Sequence, residues 1–375
     1  MSSEKPRLIW TTTLMFSLTS LIALIGVPCY AWRFGLDTSI VLASFLLLAA
    51  TGMSITAGYH RLWAHRSYEA HALVRIFLMI FGSMAVQNSI LIWASGHRTH
   101  HRHVDDHDRD PYSARRGFWF SHIGWMLREY PSGQPCFDNA RDLLDDQLVM
   151  FQHRHYLSLV LLTNFAIPAL IGWFFGHMLE SLLLCGFLRL VLSHHFTFFI
   201  NSLAHTLGQQ PYTDENTACD NAFFALLTWG EGYHNYHHLF QWDYRNAIHW
   251  WQYDPTKWLI YALSCLRLTY NLRRVPDFSI RRAQLNMLFK RAEQRLAEAQ
   301  GHALETLKQR LSSEYEHFVH AMNEWGKLKE EWYAKTKADL LNSWESSTYH
   351  DRFREIELRL ELMQRRLQNL HAQLV

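Results

Sequence analysis

Little in this 375-residue chain suits a secreted or nucleic-acid-binding protein. The formal net charge is only +2, from 36 Lys and Arg against 34 Asp and Glu, so no bulk field gathers a polyanion. The five cysteines, at 29, 136, 185, 219 and 265, form no Cys-x-x-Cys pair. Their odd number and scatter exclude a disulfide framework and leave thiols that stay reduced. No small-residue cleavage site follows the first apolar run, so we expect that run to persist as a span. Mean hydropathy is low at −0.15, which as an average argues against a membrane protein. The average conceals a division: apolar residues crowd before about residue 270 and charge gathers after it. Proline, finally, is absent after Pro276.

Four runs are long and apolar enough for the roughly 20 residues that a bilayer core demands. They are Leu8–Trp32, Ser39–Tyr59, Leu157–Gly176 and Leu179–Ile200. The fourth carries Arg189, His194 and His195, which should face protein rather than lipid. A fifth run, Ile76–Gly96, is as apolar, but histidine clusters stand just before and just after it and Gln87 and Asn88 interrupt it. Spanning would put those clusters on opposite sides, so it reads as a buried or interfacial helix. Connectors 33–38 and 177–180 are short and poor in Lys and Arg, whereas the N-terminus, 61–155 and everything after 201 are rich in them. The positive-inside rule then puts both termini in the cytoplasm, in a plasma or inner membrane if bacterial and in the endoplasmic reticulum if eukaryotic. The fold class is all-α integral membrane: four transmembrane helices, a cytoplasmic helical cap and a C-terminal helical or coiled-coil extension. We place the membrane domain at 1–278 and the extension at 279–375.

In the extension apolar residues recur at 285, 288, 292, 296, 299, 303, 307, 311, 315, 318, 322, 325, 328 and 332, a helical spacing. After a break around Asn342–His350, Phe353, Ile356, Leu360, Met363, Leu367, Leu370 and Leu374 alternate steps of three and four, a heptad seam. An antiparallel hairpin of two long helices and a self-associating coiled coil both fit, the latter making an oligomer.

The abundant residue is histidine, at 24 copies. Four clusters stand out: His60-Arg-Leu-Trp-Ala-His65, His97-Arg-Thr-His100-His101, Asn201-Ser-Leu-Ala-His205 and His234-Asn-Tyr-His237-His238. The i, i+3, i+4 spacing of the two triplets puts three imidazoles on one helix face, and Asn201 and His205 stand at i, i+4. His60 and His65, five apart, converge only at a helix end or a bend. With the spans as placed, every cluster lies at the cytoplasmic side. Imidazole suits iron, zinc and copper, and nine are too many for one ion and fit two. Scattered histidines such as His71, His122, His153 and His249 get no metal role, nor do His194 and His195.

At these clusters the sequence resembles the membrane fatty acid desaturases, the delta-9 acyl-CoA branch above all. HRLWAH, HRTHH and HNYHH reproduce that family's eight-histidine signature, and NSLAH matches the Asn and His that complete its metal site. DRDPYSARRGFWFSHIGWML, GEGYHNYHH, WDYR and DPTKWLI match as well, and the likeness runs over roughly residues 10–275. It implies a di-iron centre that uses dioxygen to desaturate a saturated acyl chain, expected to be acyl-CoA at the delta-9 position. The implied ligands are His60, His65, His97, His100, His101, His205, His234, His237 and His238, with Asn201 acting through water. Zinc could replace iron in overproduced protein. Asp105, Asp106, Asp220 and Glu231 are candidate partners for the ligands' outer nitrogens. Gln87, Trp93 and Thr197 match positions that shape the bend of the acyl tunnel, and Asn88 joins them as a substrate contact.

Two departures stand out. Ser95-Gly96 replaces an Arg-Asp pair that contacts CoA in animal relatives, leaving Arg115 and Arg116 as phosphate contacts. Leu239 and Gln241 replace usual residues after the last cluster. No HPGG haem sequence or flavin fingerprint occurs, so electrons must come from a separate donor protein or reductase. The other readings are a membrane di-iron hydroxylase of acyl chains or alkanes, and a non-enzymatic scaffold.

Overall fold

The computed structural model describes residues 6–298, 304–337 and 343–373. It divides into two compact units, residues 1–210 with 215–274 and residues 211–214 with 275–375.

Among its described residues the first unit contains four helices long and apolar enough to cross a membrane: α1 (Trp10–Phe34), α2 (Thr38–Ala64) and, later in the chain, Tyr156–Phe175 and Met178–His205. Their outward residues are large and apolar, among them Leu24, Phe45, Leu46 and Leu170. That pattern makes the chain an integral membrane protein, because such faces avoid water only in lipid. Trp32 and Trp173, 90% and 74% exposed, stand at helix ends where an indole suits the lipid–water boundary. Two spans widen into a π-turn just ahead of a proline: Ile22–Gly26 before Pro28, and Leu162–Ala166 before Pro168. Proline has no N–H to give the preceding turn, and the wide turn takes up the mismatch. Asp37 begins α2, its carboxylate accepting from the Ser39 and Ile40 amides at 2.9 and 3.4 Å.

Between α2 and the third span lies the cap. The fifth apolar run is two helices, α3 (Ala72–Ser83) and α4 (Ile90–His103), with a turn between them. At about 18 Å, α3 is too short to cross a bilayer core of about 30 Å. The Ser89 hydroxyl caps α4 by accepting from the Ile92 amide, and Gln152 accepts from the Ile90 amide at 3.0 Å. The third and fourth spans are α5 (Tyr156–Phe175) and α6 (Met178–His205). Among the shorter helices of the cap are α7 (His234–Leu239) and α8 (Pro255–Cys265). A two-residue ladder, Glu69–Ala70 with Thr269–Tyr270, ties the start of the cap to its end.

The second unit corrects the two-helix reading of the extension. Among its described residues stand three helical segments: α9 (Asp277–Glu298), α10 (Leu304–Lys337) and α11 (Ser343–Gln373). The sequence showed one run from 285 to 332 because α10 carries on the apolar period of α9. Ala299, Ala303 and Leu374 lie outside the described residues. The break expected at Asn342–His350 is also revised: Asn342 lies outside the described residues, and from Ser343 the chain is helical. Its polar Ser-Ser-Thr run thins the apolar pattern without stopping the helix, and Tyr349 is already buried in the core. Leu285, Phe289 and Leu296 of α9, Leu311, Phe318 and Leu328 of α10, and Ile356, Leu360, Met363 and Leu367 of α11 form that core. The heptad seam is thus covered inside its own unit.

Candidate metal centre

The nine histidines converge into two groups. His60, His65, His97, His101 and His237 form one, and His100, His205, His234 and His238 the other, with ligand atoms inside each group within 4.8 Å of one another. The triplets do not each serve one ion. On α4, His97 and His101 point to the first group and His100 to the second; on α7, His234 and His238 point to the second and His237 to the first. Residues i and i+4 share a bearing on a helix, and the one at i+3 is turned enough to reach the neighbouring group. The awkward pair His60 and His65 is joined by a π-turn. The end of α2, Ser54–Ala64, is wound with i→i+5 hydrogen bonds, and the His65 amide donates to the His60 carbonyl at 3.0 Å. A five-residue separation that diverges on an α-helix stacks on this wider one.

The inner nitrogens face one another. His60 Nε2 lies 2.9 Å from His237 Nε2, His65 Nε2 2.8 Å from His97 Nε2, and His234 Nε2 3.1 Å from His205 Nε2. His60 Nδ1 donates to Glu231 at 2.9 Å and His100 Nδ1 to Asp110 at 2.8 Å. A carboxylate only accepts, so these Nδ1 atoms hold the ring proton and their Nε2 atoms present bare lone pairs inward. Such lone pairs repel unless a cation stands between them, and neutral imidazole is a good donor to borderline metals. Burial first, and then neighbouring imidazoles, push His65, His97, His101, His234, His237 and His238 well below the ordinary histidine range. They are therefore neutral and able to bind metal. The residues fit a pair of metal ions, one beside five imidazoles and one beside four.

Outer contacts orient the rings. Burial alone would raise the Glu231 carboxyl, but the His60 ring and the Arg61 guanidinium bring it down to about 2. Arg61, 1% exposed, spends all five donors: on Glu231, on Asp254 and on the Tyr244 carbonyl. Thr217 accepts from His205 Nδ1 at 3.0 Å and donates to Asp105 at 2.7 Å. Tyr112 Oη lies 3.2 Å from His97 Nδ1. Of the four acids considered as partners, Glu231 touches a ligand and Asp105 acts through Thr217. Asp220 instead accepts from the Asn235 and Tyr236 amides of α7, and Asp106 pairs with Arg109 at the surface. Asp110, Thr217 and Tyr112 were missed. Asp110 and Tyr112 stand in the DRDPY stretch, but nothing local separates them from their polar neighbours, and Thr217 carries no spacing signal.

A cavity of about 400 Å³ opens beside the first group. His60, His97 and His234 line it, as do Gln87, Asn88, Trp93, Thr197 and Asn201. Gln87 donates to Thr197 at 2.9 Å and accepts from the Trp93 indole at 3.2 Å, so the three make one polar joint in a mostly apolar wall. Arg115 and Arg116 do not line this cavity. They stand on the short turn Ala114–Arg116. Arg115 is exposed, 3.8 Å from Asp105, and Arg116 lies over the Phe120 and Tyr130 rings. Ser95, Arg128, Glu129 and Gln134 stand on the polar part of the wall instead. The Ser95 hydroxyl is engaged, donating to the Cys136 carbonyl and to Asn139.

Comparison with known proteins agrees with this geometry. "Acyl-CoA desaturase 1" of Saccharomyces cerevisiae is 45% identical over 285 residues, covering 74% of this chain and 56% of that protein. "Probable acyl-CoA desaturase" of Schizosaccharomyces pombe is 41% identical over 274 residues, covering 73% and 56%. "Delta(9)-fatty-acid desaturase fat-6" of Caenorhabditis elegans is 37% identical over 287 residues, covering 75% and 84%. The chain thus spans about half the length of the two yeast relatives. The fatty acid desaturase pattern itself matches residues 37–273, which hold all four histidine clusters. With the ring groups, the apolar cavity and this match in agreement, the chain belongs to the fatty acid desaturase family.

Proposed function

We propose that this protein is a membrane-bound, dioxygen-dependent acyl desaturase that inserts a cis double bond at the delta-9 position of a saturated, CoA-linked chain. The nine histidines would hold two iron ions, and Asn201, one turn before His205, would assist through a water. The observation that carries the reading is the cavity, which brings an apolar wall against His60, His97 and His234. When bound, the iron pair supplies the oxidising power needed for an unactivated C–H bond. The reaction balances as one saturated chain, one dioxygen, two electrons and two protons giving one alkene and two waters. A separate donor protein provides the electrons.

The chain's own residues position and insulate. The joint of Gln87, Trp93 and Thr197 bends the acyl chain so that two neighbouring methylenes pass the histidine face. Asn88 and the polar wall near Arg128 and Gln134 receive the head group. Glu231 and Asp110 hold their imidazoles in the tautomer that turns Nε2 inward. The cap lies in the cytoplasm with both termini, an orientation supported by the Lys- and Arg-poor connectors 33–38 and 177–180. The extension recruits the donor or a second copy.

Gas chromatography–mass spectrometry of lipids from cells expressing the protein, fed palmitic and stearic acids, tests this. The expected product is the delta-9 monoene. A hydroxy acid instead, or no new product from protein carrying its full metal, overturns the reading.

A further inference from the structure

Arg189 is fully buried inside the fourth span, and no carboxylate pairs with it among the described residues. A charge in that position is costly and marks function by default. Its donors go to oxygens of three segments. Nε donates to the Cys185 carbonyl at 3.0 Å and Nη2 to the Gly186 carbonyl at 3.4 Å and to the Asn164 side chain. Nη1 donates to the Met84 carbonyl at 2.8 Å. Cys185 and Gly186 lie in the π-turn Leu182–Leu188 and Asn164 in the π-turn Leu162–Ala166. Wide turns of this kind mark functional places in helices.

Farther along α6, His194 Nε2 donates to the Ala85 carbonyl at 2.9 Å, and Thr197 accepts from Gln87 at 2.9 Å. Three residues of one span therefore hold three residues, Met84, Ala85 and Gln87, of the turn joining α3 to α4. That turn is strained. Val86 and Asn88 have φ of 53° and 71°, a left-handed backbone that side chains rarely adopt. Such a conformation persists only where its surroundings over-determine it. Val86, Gln87 and Asn88 line the acyl cavity, as do His194 and Thr197.

We propose that Arg189 and His194 are positioning residues that set where the double bond falls, by clamping the strained turn that forms the bend of the cavity. They act through the Met84 and Ala85 carbonyls and bind neither the metal nor the reacting carbons. The proposal rests on the desaturase reading, so its test has an arm that does not need turnover. The variants are Arg189→Met, which keeps an unbranched but shorter side chain without its donors, His194→Leu, and His194→Gln, which keeps a donor to Ala85. Full-length protein is used for hydrogen–deuterium exchange in lipid nanodiscs, and cells fed saturated acids for double-bond positions.

Exchange of the peptide over 84–90 should rise in Arg189→Met and His194→Leu and stay near wild type in His194→Gln. Misplacing the chain by about an ångström should cut the main product by roughly tenfold or more and raise positional isomers. Bound metal should not change. Wild-type exchange and wild-type products in both disruptive variants would overturn the clamp. Raised exchange with unchanged products overturns its role in selectivity. If the wild type makes no alkene, the desaturase reading fails, and the exchange arm still decides the clamp. Should Arg189→Met not fold, the two His194 variants decide the outcome alone.

Discussion

At the scale of single residues, the centre depends on which ring nitrogen carries the proton. Glu231 fixes that choice for His60 while it is also bound by Arg61. Glu231→Gln leaves the shape but weakens both contacts, and loss of such an outer partner typically costs ten- to a hundredfold in metal affinity. Competition with a chelator, read by metal analysis, checks this; wild-type retention would remove Glu231 from the orienting network. The two groups also separate the ligands' effects. His237→Ala should empty the five-histidine site first and His100→Ala the four-histidine site, with the other ion retained at near-wild-type stoichiometry and helix content unchanged. Loss of both ions in either variant would mean one cooperative site.

Protonation acts on the same rings. Six of them lie below the ordinary histidine value in the fold and return to it on unfolding. Between the folded values and about 6.5 the unfolded chain binds more protons, so stability falls as pH drops. Metal-free protein should show a Tm that is level above pH 7 and falls between about pH 6.5 and 5. A flat profile across that window would contradict neutral rings in the fold.

At the scale of elements, the fold relies on backbone that departs from regular helix. The π-wound end of α2 brings His60 and His65 together, and the strained turn between α3 and α4 builds the cavity wall. Gly230 shows how tight the cap is. Its φ is 101°, and a Cβ there would stand 2.5 Å from Asp254, the carboxylate that holds Arg61. Gly230→Ala should therefore destabilise the cap by about 1–3 kcal/mol. Thermal unfolding in detergent reads this, and a loss within error would show that the turn can relax. The seam of α11 was legible as a heptad, but whether it faces another chain was not. In the structure it closes on α9 and α10.

At the scale of the whole molecule, all nine converging histidines lie before residue 239 and belong to the first compact unit. A chain ending after Arg274 should keep its metal and retain activity with an artificial electron donor, while losing efficient coupling to the natural one. Metal analysis and product assays on membranes check both arms. If the shortened protein loses its metal, the extension is part of the catalytic body and the two-unit division carries no functional meaning.

What composition and spacing determine here is the solvent and the chemistry. Apolar runs of the length of a bilayer and histidines at helical spacing are local patterns, and both the membrane spans and the His-rich clusters follow from them without any knowledge of packing. Tertiary structure decides what meets. That one triplet serves two groups depends on where α4 and α7 are placed, and the pairing of His100 with Asp110 depends on the path of the chain after α4. Arg115 and Arg116 are conspicuous by charge, yet only the fold shows that Arg115 stands near Asp105 and Arg116 over the Phe120 and Tyr130 rings. Arg189 and His194 looked like misfits in an apolar span, because the carbonyls they serve belong to a turn about a hundred residues earlier. Hydrogen bonds between distant segments leave no periodicity in the chain, and only folding shows them.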